Sequence, residues 1–186
     1  MRKVILTNMV TLDGFFEGPH REIDWHIVDE DFNHESLTIN ESADTLLFGR
    51  ITYELMASYW PTEEAIRDDP QVARMMNSFP KVVFSRTLDK ADWSNSRLVK
   101  GDAVQEVARM KHLPGKDIVI FGSADLAVDL INQNLIDEFR IFINPVVLGT
   151  GHPLFKDVKN PFKLRLVSTR LFNNGLVFLV YQPDCR

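Results

Sequence analysis

The stretch IVIFGSADLAVDLINQNLIDEFRIFINPVVLGTGHPLF, residues 118–155, carries a strand, a helix and a second strand in one unbroken run. Residues 117–121 are almost wholly apolar, the composition of a central strand covered on both faces. Gly122 ends that run, and Ser123 stands where a helix cap belongs. Beyond it Leu126, Ala127, Leu130, Ile131 and Asn134 follow the spacing of one helical face, which predicts a helix over residues 124–134. A strand, a helix and a returning strand imply parallel neighbours joined by right-handed crossovers.

The same alternation extends towards the N-terminus. Apolar runs of strand length lie at residues 4–10, 45–48, 81–85 and 97–100, with helix-like stretches at 31–43, 52–59, 70–77 and 103–112. Residues 63–70 are acidic and end in proline, and read as an exposed connection. After residue 135 the style changes: FKLRLVSTRLFNNGLVFLVYQ, residues 162–182, sets Asn174-Gly175 between two β-rich runs, a tight-hairpin signal because both residues tolerate positive φ. The expected fold class is α/β in three layers, a mixed, mostly parallel central sheet with helices on both faces and an antiparallel C-terminal hairpin, in one domain over residues 1–186.

Bulk composition narrows the functional classes. The 186 residues suffice for one substantial core, and the hydrophobic and charged fractions of 45% and 25% are those of a globular chain. No apolar run approaches the roughly 20 residues of a spanning helix. The opening MRKVILTNMV breaks at Thr7 and Asn8 and reads as a first strand, not a leader. The single cysteine, Cys185, excludes an intrachain disulfide and fits a reducing, cytoplasmic setting. A net charge of −5 supplies no basic field for nucleic acid, so a phosphate partner requires a local site.

Three strand ends offer such a site. TLLFGRITYE, residues 45–54, leaves its strand through Gly49 and enters a helix with Arg50 and Thr52, where backbone N–H groups, a guanidinium and a hydroxyl can meet phosphate oxygens. The same residues also suit a plain glycine turn with Thr52 as cap and Arg50 paired to a surface carboxylate. KVVFSRTL, residues 81–88, places Ser85, Arg86 and Thr87 at a second strand end, where a phosphate contact and a plain turn fit equally well. Gly122, Ser123 and Ala124 form the third, with Asp125 opposing an anion there. Neither G-x-x-x-x-G-K-[ST] nor G-x-G-x-x-G occurs. The five histidines show no H-E-x-x-H spacing and DEDFNHE lacks the glycine of a calcium loop, so no metal is expected. No G-x-S-x-G nucleophile elbow is present. The acidic residues after Trp25 open a helix, where carboxylates are favoured whatever their role.

Taken together, LDGFFEG at residues 12–18, LLFGRITYE, KVVFSRTL, the 118–155 block and the late hairpin resemble the dihydrofolate reductase-like fold, in the branch of the riboflavin-biosynthesis reductase domain, as a stand-alone member. The resemblance implies an NADPH-dependent reductase that transfers hydride to a small heterocyclic substrate, pterin- or pyrimidine-like, and a homodimer. By position it implies cofactor contacts from Asn8, Met9, Phe15, Gly49, Arg50, Thr52, Ser85, Arg86, Thr87, Gly122, Ser123 and Ala124, with Arg86 beside the 2′-phosphate. Residues 13–16 correspond to the loop that closes over nicotinamide. Asp13, Trp25, Gly149 and Gly151 fall to the substrate, and Glu30 or Asp31 supplies the proton. Gly122-Ser123 departs from the paired glycines of many relatives, and no deaminase half is found. The alternative is a non-catalytic NADP(H)-binding or assembly protein on the same fold.

Overall fold

The computed structural model describes residues 1–184, with Ile39 and Asn40 described by their backbone alone. Cys185 lies outside the described residues. The elements run β1 (Val4–Thr11), β2 (Phe15–Glu17), α1 (Glu30–Glu41), β3 (Ala43–Gly49), α2 (Arg50–Tyr59), α3 (Glu63–Asp68), α4 (Pro70–Ser78), β4 (Lys81–Phe84), β5 (Ser96–Val99), α5 (Ala103–Lys111), β6 (Asp117–Phe121), α6 (Ala124–Asn132), β7 (Glu138–Asn144), β8 (His152–Pro153), β9 (Leu164–Leu171) and β10 (Val177–Pro183).

Eight strands form one sheet in the order β5-β4-β3-β6-β1-β7-β10-β9, and β2 pairs with β8 in a separate ribbon. From β5 to β7 every pairing is parallel; β10 is antiparallel to both β7 and β9. The apolar run 117–121 is thus an inner strand flanked by β3 and β1.

Strand periodicity divides the core into two layers. Val4, Leu6, Ile118 and Ile120 enter one cluster with Val107, Met110, Ala127 and Leu130 of α5 and α6. Their neighbours Ile5 and Val119 enter the other, with Tyr53 of α2 and Val72, Met75 and Met76 of α4. Alternate side chains of one strand point to opposite faces, so both faces carry helices. The fold is the three-layer α/β class expected from the sequence, with a mixed, mostly parallel sheet and an antiparallel C-terminal pair.

Three local expectations are corrected. Residues 63–70 contain α3: the Thr62 hydroxyl accepts from Ala65 N–H at 3.2 Å, and Glu63 and Glu64 occupy the turn where the helix dipole favours them. Asp69 then caps α4 through Val72 N–H at 3.0 Å, and Pro70 sits at its first position, where the missing N–H costs nothing. The first helix stops at Glu41, and Ala43, 2% exposed, begins β3. In the hairpin only Gly175 has positive φ, at 90°; the connection is wider, closed by Phe172 N–H to Leu176 O at 2.9 Å.

All eight residues of β9 are exposed, including Leu166, Val167 and Leu171, and the strand is a sheet edge. No helix among the described residues is long and apolar enough to cross a membrane.

Candidate functional site

Parallel strands deliver their carboxyl ends, and the helices that follow them, to one end of the sheet. There a cleft of about 860 Å³ opens against Gly49, Arg50 and Thr52 after β3, Ser85 and Arg86 after β4, Gly101–Val104 at the start of α5, and Ser123 and Ala124 after β6. The third side is the β2–β8 ribbon, with Phe16, Glu17, His152 and Pro153, extended by Arg21, Leu154 and Lys156. The volume is within the usual range for small-molecule sites, roughly 300–1,000 Å³.

Two strand ends are tied together beneath this cleft. The Ser123 N–H donates to Thr52 Oγ1 at 3.0 Å, and the Gly49 N–H donates to Ser123 Oγ at 2.9 Å. Ser123 Oγ in turn donates to Phe121 O at 3.1 Å, and Asn8 Nδ2 donates to Gly122 O at 3.2 Å. Gly122 has φ +56°, and a Cβ there would lie 2.9 Å from Thr52 Cγ2, so both conformation and space demand glycine. Ser123 follows it in the left-handed region at φ 54°. Neither helix has a side-chain cap: the N-cap of α2 is Gly49, which has no side chain, and the hydroxyl of Ser123, the N-cap of α6, is spent on the other junction.

The consequence is electrostatic. The starts of α2 and α6 lack side-chain caps, whereas α3, α4 and α5 are capped by Thr62, Asp69 and Asp102. Uncapped helix N-termini expose N–H donors and the positive end of the dipole. Arg86, Arg21 and Lys156 also face the cleft, and among the described residues their side chains have no hydrogen-bond or ion-pair partner. Arg50 is held by Glu54 at 2.9 Å, one turn along α2. Asp125 and Asp129 line the same cleft and partly offset this charge.

A family model, the RibD C-terminal domain, matches residues 2–178. The chain belongs to the RibD C-terminal domain family. It is 42% identical to the uncharacterized protein YyaP of Bacillus subtilis over 180 residues, 97% of this chain and 94% of that one. Among solved structures, a Shewanella sp. PV-4 protein with a provisional riboflavin-biosynthesis label matches at TM-score 0.76 and 22% identity, over 98% of this chain and 99% of the other. Dihydrofolate reductase from Enterococcus faecalis, complexed with NADP(H), matches at TM-score 0.66 and 15% identity, over 98% and 97% of the two chains. At these identities the solved structures carry the fold, and this RibD-type chain has a reductase-type fold.

The other residues singled out from the sequence are dispersed. Phe15 belongs to the ribbon, while Phe16 is the neighbour that faces the cleft. Thr87 lies in a shallower depression beside Arg50 and Glu54, and its N–H donates to Ser85 Oγ at 3.2 Å. Met9 is half-buried in the second core cluster. The Asp13 carboxylate accepts from Thr11 Oγ1 and from the Gly149 and Leu148 amides. At Gly151, φ 158°, a Cβ would stand 2.5 Å from Glu17 O, so the absence of a side chain lets the ribbon close. Trp25 packs edge-on to His26 at 4.4 Å, and its Nε1 and His26 Nε2 are buried without a partner among the described residues. Burial lowers the His26 pKa to about 4, so its ring is neutral at pH 7. Glu30 and Asp31 are exposed in the first turn of α1, Asp31 3.8 Å from Arg170.

Sequence reasoning missed Arg21, Lys156 and the start of α5. Asp102 before a helical pattern was a legible cap signal for the last. The two cations had none, because only the pairing of β2 with β8 brings residues 21 and 156 to the same cleft. Among the described residues no group of three or more His, Cys, Asp or Glu side chains is placed to hold a metal ion.

Proposed function

We propose that this RibD C-terminal domain family member is an NADPH-dependent reductase acting on a small pterin- or pyrimidine-like heterocycle. The observation that carries the reading is the convergence of two uncapped helix N-termini with Arg50 and Arg86 on one cleft. That donor set suits an anionic dinucleotide: amides of α2 and α6 for the diphosphate, and Arg86 with Ser85, next to Thr87 in the adjoining depression, for a 2′-phosphate. Gly49 and Ala124 border the cleft without bulk, and we further propose that Gly122 lies near the diphosphate and that Asn8, Met9 and Phe15, which do not line the cleft, lie towards its nicotinamide end.

NADPH supplies the hydride when bound; the chain aligns the acceptor and excludes water. We assign the proton to Glu30, which among the described residues has no ion-pair partner, with Asp31 as the alternative. Trp25, Gly149 and Gly151 are proposed to border the acceptor. We further propose one domain, a cytoplasmic setting, and a homodimer built on the exposed β9 edge, whose unpaired backbone groups suit a second copy.

Loss of NADPH absorbance on mixing with a panel of pterins, pyrimidines, flavin precursors and quinones is the expected result. NADPH bound tightly with no oxidation across the panel favours a second reading, a non-catalytic NADP(H)-binding protein. One observation favours that reading: both candidate proton donors are exposed and outside the cleft.

A further inference from the structure

We infer that Asp13 is a positioning residue that buckles the β1–β2 turn to the 146–151 loop, and so fixes the ribbon that forms one wall of the cleft. The inference rests on the cofactor reading of that cleft and gives Asp13 a role other than touching substrate.

Asp13 Oδ1 accepts from Thr11 Oγ1 at 2.6 Å and from Leu148 N–H at 3.3 Å, and Oδ2 accepts from Gly149 N–H at 2.8 Å. A carboxylate has about four acceptor sites, and three are taken by the protein itself. Thr11, 1% exposed, also accepts from Phe15 N–H at 3.0 Å, so the hydroxyl that orients Asp13 also starts β2.

Two backbone bonds continue the seam: Leu12 N–H to Val146 O at 2.8 Å and Leu154 N–H to Gly14 O at 3.3 Å. At the far end of the ribbon His152 Nδ1 lies 2.7 Å from Glu17 Oε1. Between these ties the ribbon has only the pairings Phe15↔Pro153 and Glu17↔His152, with a register shift. Two short strands are marginal alone, so side-chain anchors decide whether they stay together.

Gly14 and Gly149, at φ 88° and 74°, give the two turns the left-handed conformation that brings them to the carboxylate. The Thr11 hydroxyl, against a smaller effect of burial, and then the Gly149 and Leu148 amides hold the Asp13 carboxyl below the usual range. Opening the buckle frees the wall that carries Phe16, Glu17, His152 and Pro153.

The test is amide hydrogen exchange on the full chain, together with NADPH titration, for Asp13→Ala, Asp13→Asn and Thr11→Val. In Asp13→Ala, exchange at Leu148 and Gly149 is expected to accelerate about tenfold or more, while amides of β1 and β6 keep wild-type rates. NADPH affinity is expected to fall about fivefold to tenfold. Asn, which keeps one acceptor oxygen, falls between wild type and Ala; Thr11→Val shows the same pattern more weakly and serves if Asp13→Ala does not fold. Unchanged exchange at Leu148 and Gly149 overturns the buckle, and faster exchange with unchanged NADPH affinity overturns its role in the cleft. Failure of the wild-type protein to bind NADPH removes the cofactor reading instead, while the exchange data still decide the buckle.

Discussion

The Thr52 hydroxyl accepts a hydrogen bond from the Ser123 backbone amide at 3.0 Å, joining the first turn of α2 to the entry of α6. With the Gly49 N–H bond to Ser123 Oγ at 2.9 Å, it ties together two helix N-termini that follow different strands. Thr52→Val keeps the shape and removes the acceptor, leaving the Ser123 amide unsatisfied. The expected cost is about 1–3 kcal/mol of unfolding free energy, measured by urea titration, with weaker NADPH binding. Unchanged stability together with unchanged binding would show that the Thr52 hydroxyl does not help to hold the two helix starts together.

The two glycines at this junction respond differently. Gly49 has φ −76°, and a Cβ there meets only Ser123 Cβ and Oγ at 3.7 Å, which is ordinary contact. Gly49→Ala is expected to leave the melting temperature within a few degrees of wild type, and any loss of NADPH affinity then reports the cofactor's own approach. Gly122→Ala meets positive φ and the 2.9 Å approach to Thr52 Cγ2 together, and is expected to cost more than about 1 kcal/mol. Equal melting temperatures for the two variants would contradict this division.

Lys81 is 1% exposed, and its ammonium donates to the carbonyls of Phe79 at 2.8 Å, Ser94 at 3.0 Å and Asn77 at 3.3 Å. Trp93 covers it at 4.4 Å. Burial lowers its pKa from 10.5 to about 8. Between those values the unfolded chain binds more protons than the folded one, so this group makes stability rise with pH across the window. Lys81→Met strands three carbonyls and is expected to lose about 1–3 kcal/mol at pH 7.5. Its stability should also rise less than that of wild type between pH 8 and 10. Parallel pH profiles would place the lysine charge elsewhere.

Much of the fold is legible from local pattern. The apolar block at residues 117–121 declares an inner strand, and the alternation before it declares parallel neighbours. The α3 helix was hidden because its acidic turn and flanking proline, which read as a connection, are also what a helix start tolerates. For the site, the strand-end residues Gly49, Arg50, Ser85, Arg86 and Ser123 were visible as glycine, hydroxyl and arginine clusters, and they do share one cleft. The exchange of hydroxyls between Thr52 and Ser123 spans about seventy residues, and no spacing rule encodes a contact at that separation. Arg21 and Lys156 were illegible for the same reason.

The β9 edge leads to a fourth prediction. Leu166 and Val167 are 48% and 46% exposed on a strand with no partner on its outer side among the described residues. A dimer mass at micromolar concentration is expected by light scattering, and Leu166→Arg combined with Val167→Lys is expected to give monomers that keep the wild-type circular dichroism. A monomeric wild type would contradict the dimer.

The central claim is that the cleft between α2, α6 and the ribbon takes a 2′-phosphorylated dinucleotide. Calorimetric titration of the wild type and of Arg86→Ala with NADPH and with NADH tests it most directly. Wild type is expected to bind NADPH more tightly than NADH, and Arg86→Ala to lose at least about tenfold for NADPH with little change for NADH. No heat with either coenzyme, or equal losses for both in the variant, would contradict it.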